Sequence, residues 1–110
     1  LAAAELLCRE ALQKRRAILG DRHPNTLASM NKLGMLLLDK GDVAAAEPLL
    51  CEALEARRET LGDRHPDTLT SINNLGKLLV AKGDLAAAAP LLREVLDAAR
   101  ETLGDRHPDT

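Results

Sequence analysis

Three histidines, two cysteines and two serines are the side chains of this 110-residue chain best suited to chemistry. Each histidine closes an Asp-Arg-His triplet: Asp21-Arg22-His23, Asp63-Arg64-His65 and Asp105-Arg106-His107. Such a triplet could be an acid–base or metal site. Zinc, however, needs about four ligands converging on one point, and each triplet offers one His with no adjacent Cys. On packed helices, successive copies would sit roughly 10 Å apart. The triplets therefore read as turn chemistry, with His and Asp side chains capping backbone groups between helices. Ser29 and Ser71 lie outside any nucleophile elbow. Gly20 and Gly41 are isolated turn glycines, so no phosphate-cradling loop is present. No catalytic residue, metal or cofactor is expected, and the chain does not read as an enzyme.

The elements that carry these residues form an internal repeat. Leu-Gly-Asp-Arg-His-Pro begins at Leu19, Leu61 and Leu103, a period of 42. Segments 19–60 and 61–102 are identical at 29 of 42 positions, and residues 1–18 match the ends of both. Every glycine, proline and histidine obeys the period. Punctuation on a fixed period means one supersecondary unit, stacked.

Each unit reads as two helices. Pro24 suits the first helical turn, where its missing N–H would be unpaired anyway. Leu27, Met30, Leu33 and Leu37 then recur at helical spacing, as do Leu69, Ile72, Leu75 and Leu79. Lys40-Gly41 closes the first helix, and Asp42 is placed to cap the second. The second stripe is Val43, Ala46, Leu50, Ala53 and Leu54. Pro48 and Pro90 fall inside the second helices, where each removes one ladder hydrogen bond; a slight bend is expected, since the stripe continues past them. With 45% hydrophobic and 0% aromatic residues, the core must be aliphatic. Small aliphatic side chains suit helix against helix, while the usual strand residues are scarce.

The period also places the cysteines and the basic cluster. Cys8 stands where Leu50 and Leu92 do, so it is expected to be buried. Cys51 stands where Arg9 and Arg93 do, so it is expected to face solvent, and a Cys8–Cys51 disulfide is not expected. Lys14-Arg15-Arg16 aligns with Ala56-Arg57-Arg58 and reads as a solvated helix end. A net charge of −2 argues against nucleic acid as partner.

The unit resembles a tetratricopeptide repeat. In the pattern W-x2-L-G-x2-Y-x3-G-x-Y-x2-A-x3-F-x2-A, Met30 takes the Trp place, Leu33-Gly34 the Leu-Gly place and Leu37 the first aromatic place. Gly41, Val43, Ala46, Leu50 and Ala53 follow in register. The next copy reads Ile72, Leu75-Gly76, Leu79, Gly83, Leu85, Ala88, Leu92 and Val95, the last replacing an alanine. Every aromatic place is aliphatic, and Arg58 and Arg100 replace the helix-closing proline. The family's usual period is about 34 residues. The longer unit here, with Asn-Asn-Leu-Gly and Ala-Pro-Leu-Leu, is similar to the extended repeats of kinesin light chains.

The resemblance implies an all-α, right-handed superhelix of antiparallel helix pairs, about two and a half repeats and five helices. Residues 1–18 would be the second helix of a preceding repeat, 19–60 and 61–102 full repeats, and 103–110 the opening of another. It further implies a non-enzymatic scaffold that binds a peptide or protein along a groove lined by the first helix of each repeat. Carried over residue by residue, that groove holds Asn31, Lys32, Met35 and Leu38, then Asn73, Asn74 and Lys77. A carboxamide can donate to and accept from a peptide backbone at once, and the lysines suit an acidic partner. The bland alternative is an exposed polar helix face. The second functional reading is structural: the units exist to stack, and the chain associates head-to-tail with itself.

No stretch approaches the roughly 18 apolar residues of a membrane span, and no signal-peptide pattern is visible. A cytoplasmic protein is expected. The opening Leu1-Ala2-Ala3, without Met, is what an excerpt of a longer chain would show.

Overall fold

The computed structural model describes residues 2–106. They form five helices: α1 (Ala2–Leu19), α2 (Pro24–Lys40), α3 (Val43–Leu61), α4 (Pro66–Lys82) and α5 (Leu85–Arg106). No strand occurs among the described residues. Each helix packs on the next in chain order, and α2 also touches α4. The first helices of the units thus form one layer and α1, α3 and α5 the other. The stack measures 49 × 32 × 21 Å, with a radius of gyration of 15.2 Å. A compact globule of this length would give about 13 Å, so the shape is that of a short rod.

Local chemistry sets the helix ends as the sequence predicts. His23 holds an extended backbone and its Nδ1 accepts the Asn25 N–H at 3.1 Å; His65 does the same for Asp67 at 3.0 Å. Gly41, at φ 95°, turns the chain out of α2. The Asp42 N–H then reaches back to the Leu37 carbonyl at 2.8 Å, and the Asp42 carboxylate accepts from the Ala45 N–H at 3.2 Å. Two residues therefore close one helix and open the next. The loop aspartates depart from expectation. Asp63 accepts from the Arg58 guanidinium at 2.9 Å and Asp21 lies 3.9 Å from that of Arg16, so they face side chains rather than cap backbone.

The core is the aliphatic stripe. Met30, Leu37, Ala46, Leu50, Ala53 and Ile72 are fully buried. Gly34 lets α2 and α3 approach: a Cβ there would stand 2.6 Å from Leu50 Cδ2. Both α3 and α5 continue unbroken through Pro48 and Pro90, which lie on exposed faces. The carbonyls they leave without an N–H belong to Ala44 and Ala86, also on exposed faces where water can serve them. At the far end α5 runs through Gly104 to Arg106, where the sequence pattern stops it at Thr102. Residues 103–106, expected to open another repeat, add a further helical turn, which a glycine weakens by only about 1 kcal/mol. Residues 107–110 of that segment, with His107, lie outside the described residues.

Candidate functional site

The layer formed by α2 and α4 carries the predicted groove residues, and the period places them in matched register. Asn31, Met35 and Leu38 recur at i, i+4 and i+7 on α2; Asn73, Lys77 and Val80 hold the same positions on α4. Lys77 and Val80 are exposed, and Met35, Leu38 and Asn73 are half-buried. Asn31 is 8% exposed, and its Oδ1 is buried without a hydrogen-bond partner. This face therefore mixes apolar side chains and a cation, while the Asn31 amide acceptor is closed off from solvent.

Lys32 and Asn74 stand on a neighbouring flank. Lys32 is exposed and lines a cleft of about 260 Å³ between α1 and α2 with Leu7, Cys8, Ala11, Arg15 and Ser29. Asn74, at the same position of the next unit, is buried. The predicted set is thus divided: Lys32 opens onto the cleft with the preceding second helix, and Asn74 is buried. Neither Lys32 nor Lys77 has an ion-pair partner among the described residues, whereas the helix-end lysines do. Lys40 lies 2.6 Å from Glu5 and Lys82 lies 3.0 Å from Glu47. The Lys40 and Arg9 contacts hold the Glu5 carboxyl below the usual range, and Glu47 pushes the Lys82 ammonium up.

The largest departure concerns the basic cluster. Arg57 is not a solvated helix end; it is 7% exposed. Its guanidinium donates to the Asp67 carbonyl at 3.0 Å and to Ser71 Oγ at 2.9 Å. Burial pulls the Arg57 group down from its ordinary value. Arg15 makes the matching bonds, to the Asn25 carbonyl at 3.1 Å and Ser29 Oγ at 2.7 Å. The signal was available: an Arg and a Ser 14 residues apart recur one period on, and these are the chain's only serines. Arg58, beside it, donates two bonds to Glu94 at 2.8 and 3.0 Å, which push the guanidinium up and hold the Glu94 carboxyl down.

Cys51 is corrected too. It is half-buried and packs against the core rather than standing in solvent. Burial first, then Glu47 and Glu55, push its thiol up, which keeps it protonated and unreactive. Cys8, expected to be buried, is half-buried and opens onto the α1–α2 cleft. Both thiols are free. Among the described residues, no three of His, Cys, Asp and Glu converge as metal ligands would, and no helix is long and apolar enough to cross a membrane.

The tetratricopeptide repeat family matches the sequence twice, over residues 1–59 and 33–101. Among solved structures, the chain is similar to a crystal structure from Podospora anserina, of a chain assigned as a kinesin light chain with nearly identical tetratricopeptide-like repeats. The two align at 27% identity over 92% of this chain and 51% of that one, with a TM-score of 0.70. The present chain thus spans about half the length of that structure. No curated protein matches the sequence.

Proposed function

From the premise that the chain belongs to the tetratricopeptide repeat family, whose repeats generally mediate contacts between proteins, we propose that the α2–α4 layer binds an extended peptide segment of a partner protein. The observation that carries this reading is the register of that layer. Asn31, Met35 and Leu38 on α2 and Asn73, Lys77 and Val80 on α4 repeat the same positions on adjacent parallel helices. A peptide running across them meets equivalent helix positions at regular intervals, an apolar Met35 on one helix and a cationic Lys77 on the next. The half-buried Met35 and Leu38 and the exposed Val80 offer apolar contact. Asn73, half-buried, offers backbone hydrogen bonds, whereas Asn31 needs its covered Oδ1 uncovered before it can accept one. Lys77, with Lys32 at the flank, favours acidic side chains, and Asn74, being buried, takes no direct part. The proposed role is that of a scaffold, with binding as its activity.

A peptide array of acidic and neutral sequences, followed by fluorescence anisotropy on the hits, tests this reading. Acidic–apolar peptides are expected to dominate. Asn31→Ala with Asn73→Ala, and separately Lys77→Glu, should weaken them about tenfold or more, the loss of one to two hydrogen bonds or a charge contact, while far-ultraviolet dichroism is unchanged. Undiminished binding by both the double variant and Lys77→Glu would remove the groove.

A second reading rests on the terminal helices. α1 exposes Leu6 and Leu7, and α5 exposes Leu85, Leu92 and Leu96. Two such faces suit head-to-tail contact between copies, which need not close. Sedimentation over a wide concentration range decides it, and a strictly monomeric profile would exclude it.

A further inference from the structure

We propose that Arg57 is a positioning residue, which fixes the rotation of α4 about its own axis and so decides which α4 side chains stand beside those of α2. Three bonds tie residue 57 to the opening turns of α4. Its guanidinium donates to the Asp67 carbonyl at 3.0 Å and to Ser71 Oγ at 2.9 Å, and Thr68 Oγ1 donates to its backbone carbonyl at 3.3 Å. Residues 67, 68 and 71 are spaced at i, i+1 and i+4, so they lie on one side of the helix. Holding that side against α3 leaves Thr70, Asn73 and Lys77 on the other flank, where Thr70 and Lys77 are exposed. The α4 anchor side chains are themselves enclosed: Thr68 and Ser71 are fully buried.

Aliphatic packing alone does not supply this setting. Leucine stripes tolerate a helix turning by part of a residue, because dispersion contacts carry little direction. A guanidinium fork is directional, and once buried it has no water to fall back on. A slip of α4 would leave a buried charge without acceptors, so the clamp opposes slips in either sense.

The first junction shows the same device with one strut missing. Arg15 binds the Asn25 carbonyl and Ser29 Oγ, yet Arg15 is exposed, and Thr26 Oγ1 is buried without a partner where Thr68 has one. In the third copy Ala99 replaces the arginine. Clamp strength therefore differs along the stack, and the α3–α4 junction is the tightest.

The test reads geometry and needs no binding partner. Spin labels are placed at Ala28→Cys and Thr70→Cys, equivalent exposed positions of α2 and α4, in a Cys8→Ser, Cys51→Ser background. Pulsed dipolar spectroscopy then gives the distance distribution between the two helices. One narrow distribution is expected with Arg57 intact. Arg57→Met should shift or broaden it with helicity retained, and Arg57→Lys, which keeps the charge and one donor, should restore it in part. If Arg57→Met does not fold, Ser71→Ala serves, since it removes one acceptor only, and a smaller broadening is expected. An unchanged distribution in whichever of the two folds would overturn the proposal. It rests on the groove reading only for the use of that face. A clamp that sets the distance while no peptide binds would leave this proposal standing and the groove reading refuted.

Discussion

Leu50 and Leu92 occupy the same position of two nearly identical units, yet Leu50 is fully buried and Leu92 keeps 39% of its surface. Each lies over the equivalent glycine of its own unit, Gly34 or Gly76. The difference comes from the neighbouring helix. α4 packs across the outer side of α3, and no described helix does so for α5. A unit's core is therefore completed by its neighbour, as expected of an array in which one helical pair cannot bury its stripe alone. Leu50→Ala should cost about 3–5 kcal/mol, the range for a cavity in a packed core. Leu92→Ala should cost about 1 kcal/mol, because much of its surface is already wet. Urea denaturation followed by far-ultraviolet dichroism measures both, as the chain has no Trp, Tyr or Phe to report. Equal costs would mean that the two units are packed alike.

The glycines sharpen the same contrast with less energy. A Cβ at Gly34 would meet Leu50 Cδ2 at 2.6 Å and Cγ at 2.8 Å, and the fully buried leucine has nowhere to move. Overpacking of this kind costs about 1–3 kcal/mol, against a helix-propensity gain of about 1. Gly34→Ala should therefore destabilise. At Gly76 the contact with Leu92 Cδ2 is 2.8 Å and with Cγ 3.4 Å, and the half-exposed side chain can swing outward. Gly76→Ala is expected to be neutral or slightly stabilising. A thermal melt of each variant reads the sign.

The helix caps set the limit of the comparison, because they are purely local. Asp42 and Asp84 each accept one N–H at 3.2 Å, from Ala45 and Ala87. Both aspartates are exposed, so neighbours hardly enter. Asp42→Ala and Asp84→Ala should each cost about 1 kcal/mol, and the two values should agree. A clear difference would show that neighbouring units reach even into the turns.

That division explains what could be read from the residues alone. Features decided within a few residues were legible: the His23 and Asp42 caps, the Gly41 turn, the stripe from Leu27 to Leu37. The 42-residue period itself was visible in the sequence. Features decided across a junction were not. Arg57 looked like a solvated cation because its acceptors lie 10 and 14 residues on, in another helix. Cys51 looked exposed because its counterparts Arg9 and Arg93 carry charge, although a small thiol can settle onto the core where an arginine cannot. For the groove, register along α2 and α4 was visible. The place of Lys32 in the α1–α2 cleft and the burial of Asn74 were not, since both depend on how each first helix is rotated in the stack.

The finest contrast lies in the ion pairs that join successive second helices. Arg16 reaches Glu52 through one contact of 3.2 Å, whereas Arg58 grips Glu94 through two, at 2.8 and 3.0 Å. A two-pronged pair is more directional than a single contact. The Arg58 bonds hold the Glu94 carboxyl below the usual carboxylate range. The folded chain thus releases that proton more readily than the unfolded one. The resulting stability is present above the usual carboxylate range and is lost as pH falls through the lowered value. Partly exposed pairs are worth less than about 1 kcal/mol, so the effect is small and has to be read as a difference. Glu94→Gln should lower the melting temperature at pH 7, and the gap from the parent should narrow as pH falls through the usual carboxylate range and on through the lowered value. Glu52→Gln should lower it less at pH 7, because one longer and more exposed contact is removed. High salt should shrink both gaps, and the Glu52 gap first, since exposed pairs are screened most. A Glu94 gap that stays constant across that acid range would mean that the second rung is held by packing rather than by charge.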